Sequence, residues 1–340
     1  MNLRHFQASV VGSAIIVAAF SGCAMQSAAP VAGGVEQSAR TAGDAGRSWM
    51  VREARAIKRL LYSGDQGTNN VNVYDYDTGV QVGMLTGFTK PEGLCVDAEG
   101  DIYVTSAYFG EGEVIEYKHG GAKPIETLQT DGAPVGCSVN AHGDLAVANN
   151  VGSTADVQVW KSGSNKPEEY SNDSECYQIW APPGYDDKGN LFMQTSPTPG
   201  ICELPADGKA LVGAYLDRFI TGQGSVMWDG KYMTFTITYF KSGFGTAIYQ
   251  TREHGDHLIV VHTSRLDDHG CWTYVPQAFV VGKKNTPVNH EQGTVVVGGS
   301  KNCSGPSPVE YWKYPESHSP FDHVHPGSND VYGVAVSIAQ

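Results

Sequence analysis

Beyond residue 60 the chain is a succession of short stretches in which apolar and polar residues alternate, each stopped by glycine, proline or an acidic turn. That period of two is the signature of half-buried strands, and no long amphipathic helical stretch interrupts it. One phrase recurs. It reads Gly93-Leu94-Cys95-Val96-Asp97-Ala98-Glu99-Gly100-Asp101-Ile102-Tyr103-Val104, then Gly136-Cys137-Ser138-Val139-Asn140-Ala141-His142-Gly143-Asp144-Leu145-Ala146-Val147. A third copy is Gly184-Tyr185-Asp186-Asp187-Lys188-Gly189-Asn190-Leu191-Phe192-Met193. Each predicts strand, glycine turn, strand. A period of roughly 40 to 50 residues is that of a propeller or similar array.

Extending the pattern places innermost strands near Gly93, Gly136, Pro183, Ser225, Pro276 and Tyr332. The first five lead to turns at Gly100, Gly143, Gly189, Gly230 and Gly293, and a second strand follows each turn. The repeat is out of phase at its ends. Leu60 to Gly64 reads as a second strand with no first, and Gly333 to Ser337 as a first strand with no second. The last strand is therefore expected to pair with Leu60 to Gly64, shutting a ring and removing a free sheet edge.

The amino terminus follows other rules. Arg4 and His5 precede an apolar run over residues 9–20 that is too short to span a bilayer but suits a signal-peptide core. It ends at Phe20-Ser21-Gly22-Cys23, small residues before a cysteine, which resembles a bacterial lipobox with Phe20 in place of the usual leucine. The resemblance implies a signal peptide over 1–22 and lipidation of Cys23. Residues 23–47, rich in Ala, Gly and Ser, read as a flexible tether. Residues 48–58 are expected to form a short helical lead-in that packs Trp49 and Met50 onto the domain, and 59–340 the domain itself. No later apolar run is long enough to cross a membrane.

Composition narrows the partners. The net charge of −13 argues against nucleic acid. The 41 glycines and 17 tyrosines suit many short strands joined by tight turns. Seven cysteines leave six once Cys23 is set aside, an even number in an exported chain, where structural disulfides are expected.

Pro91-Glu92-Gly93-Leu94-Cys95-Val96-Asp97 followed by Gly100-Asp101-Ile102-Tyr103-Val104 resembles an NHL-type repeat, and the likeness extends over roughly residues 58 to 340. The chain is similar to exported, six-bladed β-propeller lipoproteins of the NHL and SMP-30/gluconolactonase-like kind. That resemblance implies an all-β, six-bladed β-propeller closed by its carboxy-terminal innermost strand, tethered to the bacterial cell envelope, periplasmic or surface-exposed, and monomeric. Many such proteins are binding scaffolds with no known reaction.

On a propeller, two families of loops share one face. Cys176 and Cys202 then fall together, as do Cys271 and Cys303, and both pairs are expected as disulfides. Cys95 and Cys137 lie on neighbouring inner strands one step apart in register, either facing one another or, the favoured reading, as small buried thiols. Tyr177 and Trp180 follow Cys176, and Trp272 and Tyr274 follow Cys271. With Glu92 they are the candidate ligand-binding residues at the mouth, for a glycan, small molecule or envelope protein; the alternative is that the rings cap blade ends as core. The other reading is a metal-dependent hydrolase or lactonase/lyase of the SMP-30-like type. Such enzymes hold a divalent metal with several oxygens at the mouth, whereas the inner-strand starts here read Glu92, Val135, Pro183, Ser225, Gln277 and Tyr332. Calcium wants more carboxylates than that. Zinc has weaker candidates in His254, His257, His290, His323 and His325, the last two spaced to put both rings on one side of a strand. The reading is a non-catalytic scaffold with no assigned catalytic residue or cofactor.

Overall fold

The computed structural model describes residues 46–340 apart from 109, 151–154, 173–174, 180, 197–199, 219–223, 241–243, 268–271, 282–293, 302–306, 316–318 and 327–329. The described chain is all β, with a single 3-10 turn at Ala54–Ala56. The first sheet runs, from inside outward, Val331–Ile338, Arg59–Asp65, Asn70–Asp75, Gln81–Leu85 and Trp49–Met50. The second is Pro91–Val96, Ile102–Tyr108, Glu111–Tyr117 and Pro124–Thr130, and the third is Ala133–Val139, Leu145–Asn150, Ala155–Trp160 and Pro167–Ser171. The last sheet is Trp272–Val281, Thr294–Lys301, Val309–Tyr314 and Asp322–Val324.

Between the third and last sheets lies a nine-stranded one. It consists of two antiparallel stretches. Gly184–Tyr185 begins one and Val226–Trp228 the other. Their outermost strands, Val212–Leu216 and His257–Leu266, pair in parallel through Tyr215 with His257 and Leu216 with Leu258. The innermost strands pack against one another in cyclic order: Val331–Ile338, Pro91–Val96, Ala133–Val139, Gly184–Tyr185, Val226–Trp228, Trp272–Val281, and back to Val331–Ile338.

Closure is as the sequence phase requires. Leu60 stands opposite Ser337, Leu61 opposite Val336 and Gly64 opposite Gly333. The two ends of the domain are also latched by side chains. His119 Nε2 donates to the carbonyl of Ile57 at 2.7 Å, and its Nδ1 lies 2.5 Å from Ser337 Oγ. The Ser337 hydroxyl, fully buried, reaches the carbonyl of Gly100. The amide of Ala339 donates to Lys58 O at 2.8 Å.

The core is distributed between sheets because alternate residues leave each strand on opposite faces. Leu60 and Tyr62 pack with Leu94, Ile102 and Val104 of the second sheet, while Leu61 packs with Val309 and Tyr311 of the last. Leu145 and Val147 join Val114 of the second sheet; Ala146 and Ala148 join Tyr185 and Leu191 of the nine-stranded sheet. These stripes need a neighbouring sheet, while Phe192 and Ile201 pack with Val226 and Phe235 between the two antiparallel stretches of the nine-stranded sheet itself.

Two features of the repeated phrase have structural causes. Its leading glycine marks where inner strands converge: a Cβ on Gly93 would collide with Gly136, one on Gly136 with Pro182, and one on Gly184 with the Val226 carbonyl. Its acidic or amide residue caps the following turn. Asp97 Oδ1 accepts from the amides of Glu99 (3.0 Å) and Asp101 (2.8 Å). Asn140, Asp186 and Asp229 repeat this with His142 and Asp144, Lys188 and Asn190, and Lys231 and Tyr232. In the first of these turns Gly100 takes a φ of 88°, which a side chain would strain.

The lead-in corrects an expectation. Residues 48–58 are not helical but form the strand Trp49–Met50 and the 3-10 turn Ala54–Ala56. Trp49 stands opposite Met84 and Met50 opposite Gly83, so the segment covers the outer edge of the first sheet. An open edge offers backbone hydrogen bonds and a packing slot, and two residues of pairing satisfy both better than one isolated helical turn.

His119→Ala removes the hydrogen bonds to Ile57 and Ser337 and deprives buried Ser337 of one partner. It is expected to destabilise by about 2 kcal/mol, lowering the thermal midpoint by about 3 °C for a domain of this size, measured by calorimetry.

Candidate functional site

The convergence of inner strands leaves an axial cavity of about 260 Å³. Its wall takes Val96, Val139, Tyr185, Trp228 and Val336 from five successive inner strands, with Ser138 and Ser225 as polar points. Cys95 and Cys137 also line it, and they are not free thiols: they form a disulfide with a Cα–Cα distance of 5.6 Å. The favoured sequence reading is thereby corrected. Glycine at positions 93 and 136 brings the strands within bonding range, which a one-step register offset alone does not reveal.

The second disulfide, Cys176–Cys202, is the pairing expected from sequence; both cysteines are fully buried, with Cα atoms 5.9 Å apart. It fixes the segment before Gln178–Ile179 onto the strand Gly200–Leu204. Cross-links closing loops of 42 and 26 residues are each worth about 3–4 kcal/mol on a chain-entropy basis. Cys271 and Cys303 lie outside the described residues.

The residues expected at the mouth are distributed as follows. Glu92 is half-buried in Pro91–Val96, within the register shift between Pro91 and Leu94. Tyr177 is half-buried beside Cys176. Trp272 begins the strand Trp272–Val281 opposite Lys301, and Tyr274 falls at the register shift between Thr273 and Val275. Trp180 lies outside the described residues. Among the inner-strand starts read from sequence Glu92 is the one carboxylate, and it is not part of the axial cavity wall. That set does not fit a divalent metal of the SMP-30-like kind, which needs several anionic oxygens.

The histidines separate. His254 and His257 stand opposite one another in a hairpin, but His257 Nδ1 is 2.7 Å from Asp256 Oδ1 and its ring packs on Tyr215. His290 lies outside the described residues. His323 and His325 do come together, both exposed, with ring centroids 4.6 Å apart. Among the described residues no third His, Cys or carboxylate group completes a metal cluster with them.

Sequence reasoning missed a group beside the turn at Gly100. Ligand oxygens of Asp97, Asp101 and Glu116 lie within 4.8 Å of one another. Each already has structural work. Asp97 caps its turn and accepts from the Tyr103 hydroxyl at 3.3 Å, and Asp101 is ion-paired with Lys118. Burial first, then the charges of Glu116 and Asp97, push the Tyr103 phenol well above its ordinary range. A cavity of about 320 Å³ opens beside this group, between Tyr103 and Trp160.

No family model matches the chain, and no curated protein matches it in sequence. Its likeness to solved structures is one of fold. A protein of unknown function from Bacteroides caccae superposes with a TM-score of 0.55 at 10% identity, over 82% of this chain and 99% of that one. A chain of a nidogen/laminin complex gives 0.58 at 12% identity over 83% and 99%. A functionally unknown protein from Desulfotomaculum acetoxidans gives 0.52 at 10% identity, again over 83% and 99%. With its cyclic inner strands and shared interfaces, the chain has a β-propeller fold.

The carboxylates carry a pH signature. Burial chiefly raises Asp97, Glu116, Asp156 and Glu203, and a hydrogen bond with Asp131 chiefly raises Glu169. Burial also pushes Asp144 upward, but hydrogen bonds from the Ser162 amide and Lys161 outweigh it and hold Asp144 low. A raised carboxyl binds more protons folded than unfolded, so its contribution is lost as pH rises through the folded value. The raised groups outnumber the lowered, and the thermal midpoint is expected to rise between neutrality and about pH 5 before general acid unfolding, in a calorimetric pH series.

Proposed function

We propose that this chain is an exported, membrane-tethered, six-bladed β-propeller of the NHL and SMP-30-like kind, acting as a non-catalytic ligand- or protein-binding scaffold in the bacterial cell envelope. The observation that carries the reading is the preformed axial cavity, walled by successive inner strands and locked by Cys95–Cys137. A wall fixed before binding loses little conformational freedom when occupied. The rings of Tyr185 and Trp228, set in a wall whose exposed surface is more polar than apolar, suit a small neutral molecule such as a monosaccharide-sized polyol.

In this reading the mouth residues expected from sequence, Glu92, Tyr177, Trp180, Trp272 and Tyr274, are where a glycan or protein partner would be held. The matched chain of similar fold comes from a nidogen/laminin complex, an instance of this architecture in protein association. Oxidised cysteines support an exported setting. The proposed attachment is a lipid on Cys23, from the lipobox-like Phe20-Ser21-Gly22-Cys23.

Thermal-shift measurement against monosaccharides and aldonolactones tests the cavity. At least one probe at millimolar concentration is expected to raise the midpoint by about 2 °C, and Val336→Trp, which fills the cavity, to abolish that shift. No shift with any probe would remove the small-ligand reading. Acid release from a lactone would replace it with the hydrolase.

Attachment has its own check. Cys23→Ala is expected to abolish incorporation of labelled fatty acid and to move the protein from the membrane pellet to the soluble fraction. A variant that stays in the pellet would overturn the anchor.

A further inference from the structure

The two disulfides differ in their surroundings. Cys176–Cys202 is fully buried, serves the nine-stranded sheet alone and forms no part of the axial wall. Cys95–Cys137 is the opposite in each respect. It joins Pro91–Val96 of the second sheet to Ala133–Val139 of the third, which share no strand pairing among the described residues. Both of its residues line the axial cavity. Cys95 is half-buried, whereas Cys137 is only 4% exposed.

This asymmetry matters for sulfur chemistry. In disulfide exchange a thiolate attacks one sulfur and the other leaves, so access decides which bond reacts and at which end. The cavity offers an approach to Cys95, and its volume of about 260 Å³ admits a small molecule but not a folded protein. Cys137 sits on the enclosed side, packed with Val114, Leu145 and Val147. The carbonyl oxygen of Tyr103 lies 3.9 Å from Cys137 Sγ. In the disulfide that sulfur carries no hydrogen. A Cys137 thiol would have an acceptor already in place.

We propose that Cys95 is a thiol-exchange site, reached through the axial cavity and restricted to low-molecular-weight thiols. The thiolate RS⁻ attacks Cys95 Sγ. A new sulfur–sulfur bond forms there as the bond to Cys137 breaks, and the electron pair of the broken bond leaves on Cys137 Sγ. That sulfur takes up the proton which the entering thiol gave to solvent, and donates it in a hydrogen bond to the Tyr103 carbonyl. One disulfide replaces another, so the step needs no reactant besides the thiol. A second thiolate attacking the sulfur of R releases the disulfide RSSR and leaves both cysteines reduced.

The mixed disulfide has two structural effects. The second and third sheets lose their covalent tie at the axis, and the group R stands in the cavity. Excluding the ligand proposed above is a consequence that rests on the cavity reading; the exchange itself does not.

The test treats the folded full chain with millimolar 2-mercaptoethanol, quenches by alkylation in acid and maps the peptides by mass spectrometry. The adduct should appear on Cys95 with Cys137 alkylated, at a rate unchanged by low urea, while Cys176–Cys202 reacts slower by about a hundredfold. A thiol carried on a long polyethylene glycol chain should not react. Val336→Trp, which fills the cavity, should slow the reaction at Cys95 about tenfold; if that variant fails to fold, the polyethylene glycol thiol decides the route. Absence of exchange in the folded chain, an adduct on Cys137 instead of Cys95, equal rates at the two disulfides, or equal rates for the small and the large thiol would each overturn the proposal.

Discussion

Among the described residues, none of the four- and five-stranded sheets has a core of its own. Their alternation is regular enough that each of these sheets presents an apolar stripe on both faces and can bury neither without a neighbour. An open row of such sheets would leave two stripes in water. The pairing of Val331–Ile338 with Arg59–Asp65 is therefore the constraint on which the rest depends. Leu60 and Tyr62 serve the interface with the second sheet, and Leu61 on the same strand serves the interface with the last. Slipping that strand by one residue would exchange the two sets and spoil both interfaces together.

Closure also fixes what happens at the axis. Sheets arranged in a ring crowd most at their innermost strands, where space for side chains vanishes. Glycine at 93, 136 and 184 answers that crowding, since any Cβ there would meet the next strand. Where the crowding relaxes, one or two residues further along the strands, Cys95 and Cys137 meet and bond. The axial cavity lies beside them. Cavity, disulfide and glycines are three consequences of one geometric convergence.

Much of this was legible in the chain. The phrase at Gly93, Gly136 and Gly184 located strands and turns because its aspartate or asparagine and its glycine have local jobs, capping amides and taking a positive φ. The phase of the ends located the closing strand. Cys176 and Cys202 were legible because the loops carrying them recur in each unit. What escaped depends on interactions between units. Trp49–Met50 became a strand because the edge of Gln81–Leu85 was open, not because of its own pattern. The parallel contact of Tyr215 and His257 joins outer strands far apart in sequence. Asn149 and Asp156, and Gln158 and Glu169, look unrelated along the chain until cross-strand register sets each pair side by side. Of the mouth residues, Glu92 and Tyr177 could be placed by strand order, but their side-chain surroundings depend on several units at once.

A ring of this kind separates two mechanical problems. Near the axis, neighbouring sheets are close, and contacts there are covalent or backbone to backbone: Cys95 with Cys137, Gly93 against Gly136. Farther out the sheets splay, and long polar side chains must bridge. His119 does so between the lead-in, the closing strand and the second sheet, and Asp131 does so through Gln158 between the link and the third sheet. A disulfide holds its distance whatever the solvent, as long as oxidising conditions last. Polar bridges respond to protons and ions, because their strength rests on charge and on the matching of donors to acceptors. Such a molecule keeps a constant bore while its periphery tightens or loosens with the medium. For the exported binding role proposed above, that division would keep the shape presented at the axis constant while pH and salt vary around it.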